Sequence, residues 1–296
     1  MRRMLANTLH ELANESEDLI FLTGDLGFGV FDDLQRDFPD RYVNVGIAEA
    51  AMVTAAAGLS AAGFMPVVYS IASFMSARPY EQIKLLAGYN EFPMIVIGAG
   101  GGVTYGMSGA SHHATDDLGL MSLIPGMEVA APAGPLEMKE VIRDAFYKRR
   151  SVYVQIGKFG EMDLADRQLN CGGKILAIST GTISHELHKA VLSPGIKDSV
   201  DFLHISKMSE VSSVFSEPIN ESYSSILVVE EHVLNGGLYS QILHAMNSNL
   251  QYMKVFRLGL PNVFIKEFNS QEGIRKQNCF DAEGITRKLS EILGSQ

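Results

Sequence analysis

The 296-residue chain holds only two cysteines, Cys171 and Cys279. They are too few for a disulfide framework or a structural zinc site and fit a reducing cytoplasm, the compartment expected here. Positive charge is also scarce. The 24 Lys and Arg against 34 Asp and Glu leave a net charge of -10, which argues against nucleic acid or an anionic membrane as a partner. No uninterrupted apolar run reaches bilayer length, and Met1-Arg2-Arg3 leads into Asn7, His10, Glu11 and Asn14 at helical spacing, not into an apolar signal core. Internal repeats and low-complexity tracts are absent as well. What is there, 46% apolar and 20% charged residues, is the profile of a well-buried globular chain long enough for two domains.

Short apolar strand candidates alternate with helical patterns, so the expected fold class is α/β, with parallel sheets covered by helices on both faces. Strands are expected at 19–22, 65–69, 94–97, 127–130 and 152–156, and helices over 46–62 and 74–86, from about Asp116, and after Pro135. The pattern breaks where Gly157, Gly160, Gly172 and Gly173 bracket charged residues without periodicity. The resulting expectation is a domain over 1–160, a linker over 161–173 and a smaller α/β domain over 174–296. The second domain has strand candidates at 174–179, 200–205, 226–229 and 253–256 and a closing helix over 281–293.

The chemistry-bearing residues lie in the first of these domains. Glu49 is a lone carboxylate among small apolar residues, Gly46-Ile47-Ala48-Glu49-Ala50-Ala51-Met52. It reads either as a helix-start glutamate facing solvent near the positive end of the macrodipole, or as a buried carboxyl. Without a cation beside it, a buried carboxyl keeps its proton and can donate a hydrogen bond at neutral pH. Three features follow predicted strands, where ligands of parallel α/β sheets bind: Ser70 to Arg78, Gly100-Gly101-Gly102, and Gly106 to His113. Phe74 can offer a ring face to a flat heterocycle or serve as core. The glycine triplet allows close backbone approach or simply makes a turn. His112 and His113 are adjacent, so at most one faces a shared pocket, where a histidine moves protons near neutral pH.

Together these segments resemble the transketolase family over the whole chain. Arg41 to Glu49 looks like the segment that ends in the family's catalytic glutamate, Ala72 to Ile83 like the helix bearing its aromatic platform, and Gly109-Ala110-Ser111-His112-His113 like its substrate loop. Ile124-Pro125-Gly126-Met127, Pro132-Ala133, Glu230-Glu231-His232, Gly236-Gly237-Leu238 and Arg257-Leu258-Gly259 continue the likeness. The resemblance implies a pyrimidine-binding domain followed by a transketolase C-terminal domain, with thiamine diphosphate as cofactor. Glu49 would donate to the aminopyrimidine ring, Phe74 would stack on it, and Arg78 and Ile47 would border it. His112 would be catalytic and, with His113, Ser108, Gly100 and Gln155, would line the sugar site.

Gly24-Asp25-Leu26-Gly27 is the only approximation to the family's metal-binding Gly-Asp-Gly, and no asparagine follows at the required spacing. Asp25 therefore reads as a strand-end turn residue. The diphosphate, with its magnesium or calcium ion, is expected on a separate N-terminal subunit, in an assembly of two copies of each chain that acts only when complete. Ser108, Gly100 and Gln155 stand where many relatives have an aspartate, a phosphate-contacting histidine and a phosphate-gripping arginine. Lys158 compensates only in part, so the expected substrate is a non-standard sugar, unphosphorylated or nucleotide-linked. The competing readings are a 2-oxo acid dehydrogenase β subunit, a decarboxylating thiamine diphosphate synthase and a non-catalytic regulatory subunit.

Overall fold

The computed structural model describes residues 1–158, 162–215, 223–246 and 253–294, and the expected linker glycine Gly160 lies outside them. The first sheet is six-stranded, with β1 (Leu19–Thr23), β2 (Tyr42–Asn44), β3 (Met65–Ile71), β4 (Ile95–Ala99), β5 (Glu128–Ala130) and β6 (Val152–Ile156) in the order β2-β1-β3-β4-β6-β5. All its pairings are parallel. The second sheet joins β7 (Gln168–Leu169), β8 (Ile175–Ser179), β9 (Val200–His204), β10 (Ser225–Val229) and β11 (Lys254–Leu258) in the order β11-β10-β8-β9-β7. Only β7 runs antiparallel. Residues 168–169, expected to be linker, are thus an edge strand on β9.

The five residues of β1 are all buried because helices cover both faces of the sheet. Leu19 and Phe21 pack with Leu5, Leu9 and Leu12 of the helix Arg2–Glu15. Ile20 and Leu22 point the other way, toward Met52, Val53 and Ala56 of the helix Glu49–Ala61. That second face runs on without a break into Leu176, Ile178, Ile226 and Val228 of the other sheet, so the two sheets share a core. Backbone bonds also cross between them, from Ala131 N to Ser206 O at 2.8 Å and from Val233 N to Thr115 O at 2.8 Å.

The expected helix over 74–86 is instead broken in three. Ala72–Ala77 and Tyr80–Gln82 are α-helical and Ile83–Tyr89 is a π-helix. Pro79, which has no N–H to continue the ladder, sits at the break. Strand β2 escaped the sequence pattern because it is short and its residues are half-buried or exposed, leaving no apolar signal. Among the described residues no helix is long and apolar enough to cross a membrane.

Candidate active site

From β1 the chain passes to β2 on one side of the sheet and then returns to β3 on the other. The carboxyl ends of β1 and β3 therefore flank a topological switch point, the place where open α/β sheets leave a crevice. The connection back carries Glu49 as the first residue of its helix, after a turn in which Gly46 adopts φ +72°. Glu49 is at the helix start, as one reading had it, but it does not face water: only 3% of it is exposed. Its Oε1 accepts from Ser70 Oγ at the end of β3 at 2.9 Å. A Cβ placed on Gly24, at the end of β1, would lie 3.7 Å from the same oxygen.

The proton state expected of a lone buried carboxyl is corrected by a cation. Arg78 Nη1 donates to Glu49 Oε2 at 2.9 Å. Burial pushes the Glu49 carboxyl up, but the Arg78 hydrogen bond and charge, the helix-start N–H and Ser70 together outweigh it, and the net direction is down. Glu49 is therefore a carboxylate here. The same guanidinium stacks on Phe74, its Cζ 3.6 Å from the ring centroid. Arg78 follows Phe74 by one helical turn, which brings the two side chains together.

On from Phe74, the His112 ring lies 5.0 Å away and Tyr105 packs on His112 at 5.9 Å between centroids. His112 is half-buried, and its Nδ1 is 3.0 Å from Ser111 Oγ. Its neighbour His113 turns inward and is 8% exposed; its Nε2 has no hydrogen-bond partner among the described residues. Burial pushes the His113 imidazole down, so it is neutral. The structure thus brings Glu49, Phe74, Arg78 and His112 together and sets His113 apart from them.

The remaining sequence candidates sit differently. Ile47 is 75% exposed, and Ser108 is exposed at the end of the turn Gly106–Ser108. Gly100, at φ +79°, is covered by Tyr105, whose Cε2 would lie 2.1 Å from an added Cβ. Gln155 does not offer its amide to a ligand: Nε2 donates to both oxygens of the buried Asp117, at 2.9 and 2.8 Å. Sequence reasoning missed Tyr105, which fills the space beside Gly100 and carries Lys158 Nζ 3.9 Å above its ring. Nothing in the local pattern around Tyr105 signals that position.

The second sheet braces the glycine triplet. Val103 N donates to Glu231 Oε1 at 2.9 Å, and Glu231 is held by Arg275 Nη2 at 2.5 Å and Gln271 Nε2 at 3.0 Å. His232 Nε2 accepts from Gly119 N at 3.2 Å. Glu231 and His232 thus tie the second sheet to the loops of the first at Val103 and Gly119. On the first turn, Asp25 (φ +58°) exchanges hydrogen bonds with Asn44 at 3.1 and 3.0 Å and closes the exit from β1.

Comparison with known proteins bears on the same region. Residues 1–158 match the family described as "Transketolase, pyrimidine binding domain". A "Putative transketolase C-terminal section" of Methanocaldococcus jannaschii is 29% identical, over 99% of this chain and 96% of that protein. One of the subunits of an apulose-4-phosphate transketolase of Phocaeicola vulgatus is 27% identical, over 99% of this chain and 97% of its own length. A solved structure described as "Split gene transketolase, inactive beta4 tetramer" superposes with a TM-score of 0.82 at 23% identity, covering 98% of this chain and 96% of that one, which shows the shared fold.

Proposed function

The chain belongs to the transketolase pyrimidine-binding domain family, and on that premise we propose that it is the C-terminal subunit of a split, thiamine diphosphate-dependent transketolase. In this reading residues 1–160 form the pyrimidine-binding domain, 161–173 the linker and 174–296 the C-terminal domain, with β7 of the linker paired to the latter. A separate subunit holds the diphosphate and its magnesium or calcium ion, two copies of each chain assemble, and the complex works in the cytoplasm. The observation that carries the reading is the group at the switch point: a buried Glu49, the Phe74 ring joined to it through Arg78, and His112 5.0 Å from that ring.

The space between Glu49 and Phe74 fits a flat ring, because a flat group already lies there; a ring nitrogen in that place would accept from Glu49 once the carboxyl carries a proton. The Arg78 guanidinium stacks on Phe74 and bonds to Glu49 at once. When bound, the coenzyme supplies an electron sink for the carbon freed as the bond beside a ketose carbonyl breaks. Glu49, once protonated, would donate to the pyrimidine ring nitrogen and so raise the basicity of the ring's amine. Phe74 would offer its ring face to the pyrimidine, as it does to the Arg78 guanidinium. His112, at the mouth of the site, gives and takes protons at the sugar hydroxyls and carbonyl.

The sugar is proposed to be other than an ordinary pentose phosphate. Gln155 is held by Asp117 and Gly100 lies under Tyr105, so neither offers a side chain to a phosphate, and the Lys158 ammonium stands over the Tyr105 ring.

Glu49→Gln in the assembled complex tests the reading. Turnover is expected to fall by at least ~100-fold, with assembly and circular dichroism unchanged. Unchanged turnover would point instead to a regulatory subunit, and carbon dioxide released from a 2-oxo acid, in place of ketol transfer, to a decarboxylating enzyme.

A further inference from the structure

We infer that Arg78 is a placeholder: its guanidinium fills the space between Glu49 and Phe74 that the coenzyme's pyrimidine ring takes, so that binding is an exchange with this side chain. The inference rests on the proposed function. It goes beyond that reading in assigning Arg78 to the empty site and not to the coenzyme's contacts.

Two observations carry it. The Glu49 side chain is only 2% exposed, and a carboxylate that deep is costly without a cation. Arg78 relieves that cost and covers the apolar face of Phe74 with a group of the same shape as a flat ring. Yet Arg78 is itself 42% exposed and stands just past the last residue of the helix Ala72–Ala77, so it can swing toward solvent without unpacking the core. It makes the two contacts a pyrimidine would make, and both cannot be there together.

A proton accompanies the exchange. Arg78 is the charged group bonded to Glu49, with His112 across the Phe74 ring and Asp25 on the turn after β1, where Asn44 holds it; the elements packed on the helix of Glu49 further carry Tyr69 on β3 and Tyr80, Glu81, Lys84 and Tyr89 on the segments 80–89. While Arg78 is in place Glu49 is ionised; when Arg78 leaves, Glu49 must gain a proton to donate to the ring.

Calorimetric titration of the assembled complex with thiamine diphosphate near pH 7.5, in buffers of differing ionisation enthalpy, reads affinity and proton uptake together. The wild-type complex is expected to take up about one proton per coenzyme. Arg78→Ala is expected to bind about three- to tenfold more tightly, because no ion pair or stacked cation has to be displaced, and to take up well under half a proton, because Glu49 already carries one. Arg78→Lys, which keeps the charge and loses the flat face, should keep the proton uptake. Weaker binding by Arg78→Ala would make Arg78 a coenzyme ligand and overturn the placeholder while leaving the proposed function standing; unchanged proton uptake would also overturn it. If wild type binds no coenzyme, or if Glu49→Gln and Phe74→Ala bind as wild type does, the coenzyme reading itself falls and the placeholder with it.

Discussion

Removing Arg257 should unlock the second sheet from within. Arg257 Nε donates to Glu230 Oε1 and its Nη2 to His232 O, both at 2.5 Å, and the Arg257 and Glu230 side chains are only 14% and 1% exposed. Arg257→Ala leaves Glu230 buried without its cation, a loss of about 3–5 kcal/mol when one partner of a buried pair is removed. For a chain of this size, each kcal/mol moves the melting temperature by roughly 2–4 °C, so a fall of about 6–20 °C is expected. The loss should depend on pH with a definite sign. Burial already pushes the Glu230 carboxyl above its ordinary 4.5, against the pull of His232 and Arg257, and without Arg257 it rises further. A carboxyl whose folded pKa is raised disfavours folding when ionised. Stability is therefore regained as pH falls through the folded value toward 4.5, by about 1.4 kcal/mol per pH unit in that window. Urea unfolding at pH 8 and pH 5.5 measures both effects. A loss below about 1 kcal/mol, or one equal at the two pH values, would refute the reasoning. Arg257→Met with Glu230→Gln, which removes charge and partner together, should recover most of the loss.

Two other consequences concern the substrate loop. Gly100→Ala places a methyl 2.1 Å from the Tyr105 ring at φ +79°, and is expected to cost about 1–3 kcal/mol and to raise the sugar's KM by displacing Tyr105 from His112; a wild-type KM and melting temperature would contradict it. His113, buried and neutral, has its imidazole pushed below the ordinary 6.5, so the stability it contributes is complete above pH 6.5 and is lost as pH falls through its folded value. His113→Asn should flatten the stability profile of the chain below pH 6.5, and an equally steep acid limb in that variant would show that other groups set it.

Much of this is legible in the chain itself. Runs such as Leu19–Leu22 and Val152–Val154 become strands because three or four consecutive apolar residues bury on both faces only when helices cover both sides of a parallel sheet. Phe74 and His112 are legible for a related reason: each follows a predicted strand, and a parallel sheet gathers such loops at one edge, whereas Glu49 stands out only as a lone carboxylate among small apolar residues, because the strand before it, β2, leaves no apolar signal. The misses share a cause too. Pro79 and the π-turn beyond it split a segment whose apolar period is continuous, and β7 and β2 are edge strands too short to have a period.

The sequence by itself determined the α/β class, the two-sheet order of elements and the family, because apolar period and motif are properties of neighbouring residues. Only the tertiary structure decided the charge state of Glu49, which of the paired histidines faces Phe74, and that Gln155 serves Asp117 and not a ligand. Those depend on groups 29, 38 and 38 positions apart in the chain, and on how much water lies between them. Folding sets such distances; spacing along the chain does not, and electrostatic energies follow distance and burial.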